Sequence, residues 1–336
     1  MQAQRGVRTI KRKIGDSRPL NAIGLGCMGI SFAYGPAMAD ADAVSLLHQA
    51  VALGVDHFDT AEMYGLGHSE QMLGKAFNDR RDKVFIATKF GPTFNRETGQ
   101  RTGVDGSAAN AKRALEQSLR FLQTDHIDLW YLHRRDFSRP IEETISAMAD
   151  AVKEGKIRSI GLSEVTAETL RTAARVHPIA AVQSEFSIFT RFVESDGVLD
   201  ACKELGTTLV AYSPLGRGML AGWSKDWKAT GFDFRATMAP RFQGEALESN
   251  LALVEEIAQV ATNLDATPGQ VALARVLQSA DNIVTIPGTT KVANLKQNLA
   301  AADVKLTPAA VAKLDALAAK VRGERYNADG MKGVNG

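Results

Sequence analysis

Apolar residues in this chain gather into short runs separated by amphipathic stretches. The runs begin near Ile23, His57, Val84, Leu129, Ile157, Ala181, Thr208 and Ile283. They are rich in Val, Ile, Phe and Leu and lack the alternation of a half-exposed sheet, which predicts strands buried on both faces of a parallel sheet. Between them, Asp40 to Leu53, Ser107 to Leu122, Ile141 to Val152 and Thr166 to Val176 read as helices. Asp40, Ser107, Thr166 and Thr267 stand where capping residues are expected, the last followed by Pro268 at the first helical position. Strand–helix alternation repeated about eight times predicts an α/β fold, a (β/α)8 TIM barrel.

Three stretches depart from the alternation. Residues 7–19 read as a small β-hairpin ahead of the first strand, with Gly15-Asp16 as its turn. Residues 216–248, rich in Gly, Trp and Phe, form a long loop of the kind that covers a bound ligand. Residues 321–336 read as a C-terminal tail beyond a core of about 20–320. A length of 336 residues would allow two domains, but no linker composition or internal repeat divides the chain, and barrels reach this size as one unit. One domain over 1–336 is expected.

Charge narrows the function classes. With 40 basic and 38 acidic residues the net charge is +2, which argues against a nucleic-acid or membrane-surface partner. No apolar run approaches a membrane span or a signal sequence, so a cytoplasmic protein is expected. The two cysteines, Cys27 and Cys202, cannot make a disulfide framework or a zinc cluster, and the six histidines show no paired ligand spacing. No metal is expected.

Active sites in such barrels form at the C-terminal ends of the strands. The second strand ends in Asp59, with Tyr64 just beyond, the third in Lys89, and the fourth in Leu132-His133. A lone strand-end Asp, Lys or His is more often a salt bridge or a satisfied hydrogen bond; their arrival together on neighbouring strands carries the reading. A phenol is ordinarily too weak an acid for proton transfer near neutrality, and a nearby ammonium lowers its pKa. Lys89 would supply that charge, Asp59 would balance it, and His133 would orient a carbonyl oxygen.

Asp59-Thr60-Ala61-Glu62-Met63-Tyr64-Gly65, the strand-end Lys89 and Leu132-His133 resemble the catalytic tetrad region of the aldo-keto reductases. The resemblance continues through Gly161-Leu162-Ser163-Glu164, Gln183-Ser184-Glu185-Phe186-Ser187, Ala211 to Gly218 and Ile286 to Lys291, over residues 8–320. It is closest to the branch with pyridoxal reductase-like and auxin-induced-protein-like members. It implies NADPH-dependent reduction of aldehydes and ketones, with Tyr64 as general acid, Lys89 and Asp59 tuning it, and His133 on the carbonyl. It further implies that Met28 and Asp59 lie near the cofactor, and that Ser163, Glu164 and Gln183 meet the nicotinamide carboxamide. Tyr212 would stack beneath the nicotinamide ring. Ser213, Pro214, Leu215, Gly216, Arg217 and Gly218 would wrap the pyrophosphate. The adenosine end would lie along Gly288 to Asn298 at a helix N-terminus, with Thr289 and Lys291 on the 2′-phosphate and Gln297 and Asn298 on the adenine. Asn294 stands where some relatives carry arginine, which implies NADH as a weaker alternative. Phe32, Trp223, residues near Phe90 and the tail around Tyr326 would line a pocket for apolar or aromatic aldehydes.

Gly24-Leu25-Gly26-Cys27-Met28-Gly29 also satisfies the dinucleotide fingerprint of a Rossmann dehydrogenase. That fingerprint needs a helix at its last glycine, and none is expected before about Asp40. A second alternative is a cofactor-bound regulatory or redox-sensing subunit with little turnover, similar to potassium-channel β-subunits. Oligomeric state leaves no mark in the sequence.

Overall fold

The computed structural model describes residues 9–95, 97–223, 227 and 232–334. Positions 7–8 of the expected hairpin, parts of the 216–248 segment and the last two residues of the tail lie outside the described residues.

β1 (Lys11–Arg12) and β2 (Leu20–Asn21) pair antiparallel around a turn that holds Gly15 at φ +53°. The hairpin thus returns at Leu20–Asn21, beyond the 7–19 expected, because Leu20 is fully buried against the barrel. Thr208 Oγ1 donates to Lys13 O at 2.9 Å, and Asn21 N–H donates to Asp56 Oδ1 at 2.7 Å. Both partners stand where barrel strands begin, so the hairpin plugs the end opposite the strand C-termini.

The barrel strands are β3 (Leu25–Gly26), β4 (His57–Asp59), β5 (Phe85–Phe90), β8 (Leu129–Leu132), β9 (Ile160–Ser163), β10 (Ile179–Glu185), β11 (Thr208–Tyr212) and β12 (Ile283–Thr285). They lie in that order as one parallel eight-stranded sheet. Parallel bridges from Ile23 to Thr285 and from Gly26 to Gly288 bring its two edges together. A Cβ on Gly26 would stand 2.7 Å from Ile286 O, and one on Gly24 would stand 2.8 Å from the His57 ring. Close approach therefore accounts for the first two of the fingerprint's three glycines, Gly26 across the seam and Gly24 against β4. A one-turn helix, α1 (Met28–Ser31), opens directly after them, earlier than the expected first helix at Asp40. It is a single turn made possible by the sharp exit from β3. A second unexpected element follows β5: β6 (Pro92–Phe94) and β7 (Arg101–Val104) form an antiparallel hairpin.

The outer layer comprises α2 (Asp40–Ala52), α3 (His68–Phe77), α4 (Ala108–Leu122), α5 (Ile141–Lys153), α6 (Ala167–Val176), α7 (Val198–Leu205), α9 (Gly244–Asn263), α10 (Pro268–Leu277), α11 (Val292–Ala300) and α12 (Pro308–Ala318), with the short α8 (Phe234–Thr237) and α13 (Ala328–Met331) above the sheet. Ser107, Thr166 and Thr267 cap their helices through side-chain oxygens. Asp40 does not: Ala39 holds the N-cap, and the Asp40 carboxylate instead accepts from Lys75 at 2.6 Å and contacts His68 at 3.1 Å.

The core fills the barrel and the layer between sheet and helices. A second apolar cluster, with Met219, Leu220, Phe242, Ile257 and Leu314, underpins the segment after β11. That segment is less of a loop than expected: a 3-10 turn at Gly216–Ala221, α8, a further turn at Pro240–Phe242, then α9 from Gly244. The tail likewise folds back, with Asn327 capping α13 by accepting from Gly330 N.

Candidate active site

Four side chains named from the sequence meet at the C-terminal ends of β4, β5 and β8. Asp59 ends β4, Lys89 lies next to last in β5, His133 follows β8, and Tyr64 sits on the turn after β4; all are at most 8% exposed. Lys89 Nζ donates to an Asp59 carboxylate oxygen and, at 2.7 Å, to Thr60 O. The other Asp59 oxygen accepts from Gln183 Nε2 at 2.8 Å. Both carboxylate oxygens are thereby held, and the buried ammonium has the paired counter-charge that burial requires. Lys89 Nζ stands 5.4 Å from the centre of the Tyr64 ring, and the His133 ring meets Tyr64 edge-on at 6.0 Å and 87°.

Burial dominates the electrostatics. It pushes the Tyr64 phenol well above its ordinary pKa, and the Asp59 charge adds to the rise. The net lowering expected from Lys89 is corrected: Asp59 neutralises much of the ammonium at contact distance, so its pull toward the phenolate is outweighed by desolvation. Burial also lowers the Lys89 ammonium, against the pull of Asp59. His133 is held well below its usual range by burial, then by the positive charges of Arg134, Lys89 and Arg101. The imidazole is neutral, and its buried Nδ1 has no partner among the described residues.

The residues assigned to a dinucleotide form a band across the same face. Ser163 Oγ accepts from Arg134 Nη1 at 3.1 Å. Glu164, in the left-handed region at φ +53°, accepts from Glu185 N–H at 2.9 Å and from Arg325 at 3.2 Å. The Tyr212 hydroxyl lies 2.8 Å from that of Tyr326. Ser213, Gly216, Arg217 and Gly218 all have positive φ, which bends the chain after β11 into a tight cradle with Pro214 and Leu215. Arg217 bonds Glu185 at 2.9 Å, and its guanidinium lies 4.6 and 4.8 Å from the centres of the Phe234 and Tyr326 rings, which meet edge-on. Burial would raise the Glu185 carboxyl, but Arg217, Arg325 and Arg241 outweigh it and hold that pKa low.

Farther along, Thr289 Oγ1 accepts from Lys291 N–H at 3.1 Å just ahead of α11, with Thr289 half-buried and Lys291 exposed. Gly288 lies in the barrel seam, Gln297 is exposed, and Asn298 is buried with its Nδ2 unpartnered. Met28 opens α1 on the same rim, where Gly29 approaches Thr290. Of the expected pocket residues, Phe90 is instead fully buried against Trp130, and Trp223 packs on Phe242 and Trp227. Phe32 stacks on Phe232 at 5.9 Å. Sequence reasoning missed Arg134 and Arg325; the first had a usable signal, since it directly follows His133, and the second had none. Among the described residues no group of acidic, Cys or His side chains could hold a metal ion, and no helix is long and apolar enough to cross a membrane.

The model of the Aldo/keto reductase family matches residues 22–319. The chain is 43% identical over 323 residues to the aldo-keto reductase yakc [NADP(+)] of Schizosaccharomyces pombe, covering 94% of each chain. Among solved structures it is similar to the glycerol dehydrogenase of Gluconobacter oxydans, with TM-score 0.84, 28% identity and 93% and 95% of the two chains covered. It is also similar to an aldo-keto reductase from Klebsiella pneumoniae in complex with NADPH, with TM-score 0.73, 28% identity and 92% and 95% covered.

Proposed function

The chain belongs to the aldo/keto reductase family, and from that premise we propose that it reduces aldehyde and ketone carbonyls to alcohols with NADPH. The observation that carries this reading is the convergence of Asp59, Tyr64, Lys89 and His133 at one end of the barrel. The residues present fit a dinucleotide: the unpartnered Asn298 amide offers donors to a base, the positive-φ turn at Ser213–Gly218 suits a pyrophosphate, and Tyr212 offers a flat ring. Lys291, exposed beside Thr289 at the start of α11, suits a 2′-phosphate, which accords with the NADP(+) in the fission-yeast relative's name.

When bound, NADPH supplies a hydride to the carbonyl carbon. The protein's part is the proton. Burial keeps the Tyr64 phenol protonated at neutral pH, so a donor is always present. As the carbonyl oxygen gains charge, Tyr64 gives it the phenolic proton, and the nearby Lys89 ammonium favours the phenolate left behind. Asp59 holds Lys89 in place, and Gln183 holds Asp59. Neutral His133 orients the carbonyl by a hydrogen bond without competing as an acid.

Tyr64→Phe tests the mechanism. Aldehyde-dependent NADPH oxidation should fall by about 10²–10⁴-fold, the range for loss of a general acid, while NADPH binding followed by fluorescence stays close to wild type. Near-normal turnover in this variant overturns the assignment. Wild-type protein that retains NADPH but oxidises none with any aldehyde would favour the regulatory reading.

A further inference from the structure

Arg134 follows His133 directly, and its Nη1 donates to His133 O at 2.7 Å and to Ser163 Oγ at 3.1 Å. These bonds hold the guanidinium at the mouth of the barrel, where its charge acts on His133, Tyr64 and Tyr212. The carboxylates around it are committed elsewhere: Asp59 to Lys89 and Gln183, Glu164 to Arg325 and the Glu185 N–H. Among the described residues Arg101, on the β6–β7 hairpin, bonds only a carbonyl of its own strand, Gly103 O, at 3.4 Å. Its charge reaches both Arg134 and His133. The hairpin base packs against the same loop, since a Cβ on Gly91 would stand 3.5 Å from Arg134 O and 3.7 Å from Val104 Cγ1. Among the described residues neither guanidinium has a carboxylate partner.

Among the described residues no carboxylate bonds either cation, although the Glu164 charge reaches Arg134; the two guanidinium groups beside the reacting centre repel each other, and an incoming anion relieves that repulsion. We propose that Arg134, assisted by Arg101, selects carbonyl substrates that carry an anionic group, a carboxylate or phosphate, near the reacting carbon. This rests on the reductase reading above and replaces the apolar aldehydes expected from sequence. The planar guanidinium can grip such a group with two parallel hydrogen bonds, which a neutral ester cannot receive with the same strength.

The test compares 4-formylbenzoate with its methyl ester as NADPH-dependent substrates. Wild type should favour the acid in kcat/KM. Arg134→Gln should cut the acid-to-ester ratio by about tenfold or more, the worth of a charge-assisted hydrogen bond, and Arg134→Lys should recover part of it. Arg101→Gln, at an exposed side chain of the hairpin, should cut the ratio less. Added salt should lower the ratio in wild type more than in Arg134→Gln. A ratio that favours the ester, or one unmoved in both Gln variants, overturns the assignment while the reductase reading stands. So does a loss of NADPH affinity in Arg134→Gln with the ratio intact, since the cation would then serve the cofactor. Reduction of neither compound overturns this assignment; the reductase reading falls only where no aldehyde at all is reduced.

Discussion

The Glu70 carboxyl, on α3, is fully buried and accepts from Thr88 Oγ1 at 2.7 Å. Burial pushes its pKa from the ordinary 4.5 up to about 7. Between those values the folded chain holds a proton that the unfolded chain releases, so stability falls as pH rises through this window and is level above it. The loss is on the order of 3 kcal/mol at most, by the free energy of a pKa shift. Glu70→Gln keeps an acceptor for Thr88 and removes the titration. Urea denaturation at pH 5 and pH 8 should show wild type losing stability to the higher pH and the variant losing much less; equal losses would place the effect on other groups. Tyr131 shows the same dependence on exact surroundings in a different form. A Cβ at Gly161 would stand 2.3 Å from its ring, so the neighbouring strand must carry glycine there.

Helix α10 illustrates how far a local rule reaches. Thr267 accepts from Gln270 N–H, Gln270 returns a bond to the Thr267 N–H, and Pro268 follows the cap. All the partners lie within four residues, so the element could be read directly from sequence. Thr267→Ala should cost about 1 kcal/mol in denaturant unfolding. Asp40→Ala should cost less, because Asp40 lies after the cap and its ion pair with Lys75 is exposed to solvent. A larger loss at Asp40 than at Thr267 would contradict these cap assignments.

At the scale of the molecule, the tail is joined to the barrel mouth. Arg325 pairs with Glu164, 161 positions away, where both side chains are at most 3% exposed. The Tyr326 hydroxyl meets that of Tyr212, and Asn327 N–H donates to Met238 O at 3.0 Å. Arg325→Met would leave the Glu164 carboxylate buried and unpaired, at a cost of about 3–5 kcal/mol. Adding Glu164→Gln should restore most of it, because the charge that lacked a partner is gone. A double-mutant cycle by chemical denaturation checks this; additive losses would mean that the two side chains do not act as a pair.

The alternation of apolar runs and helical stretches, the strand-end positions of Asp59, Lys89 and His133, and the caps at Ser107, Thr166 and Thr267 were all legible in the chain. Each depends on periodicity or on neighbours a few residues apart. Other features were not legible. Two of the three glycines of the apparent dinucleotide fingerprint proved to be packing positions, because what crowds Gly24 is His57 on the next strand and what crowds Gly26 is Ile286 across the seam, both distant in sequence. The direction of the Tyr64 pKa depended on how completely burial and Asp59 offset Lys89, and the tail clasp on a partner across the barrel. Sequence determined which groups reach the rim, because strand period and strand ends are local properties. Only the closed barrel decided which of those groups are dry, which are paired and which cations stand without an anion, because desolvation and charge pairing depend on distances between residues far apart in the chain.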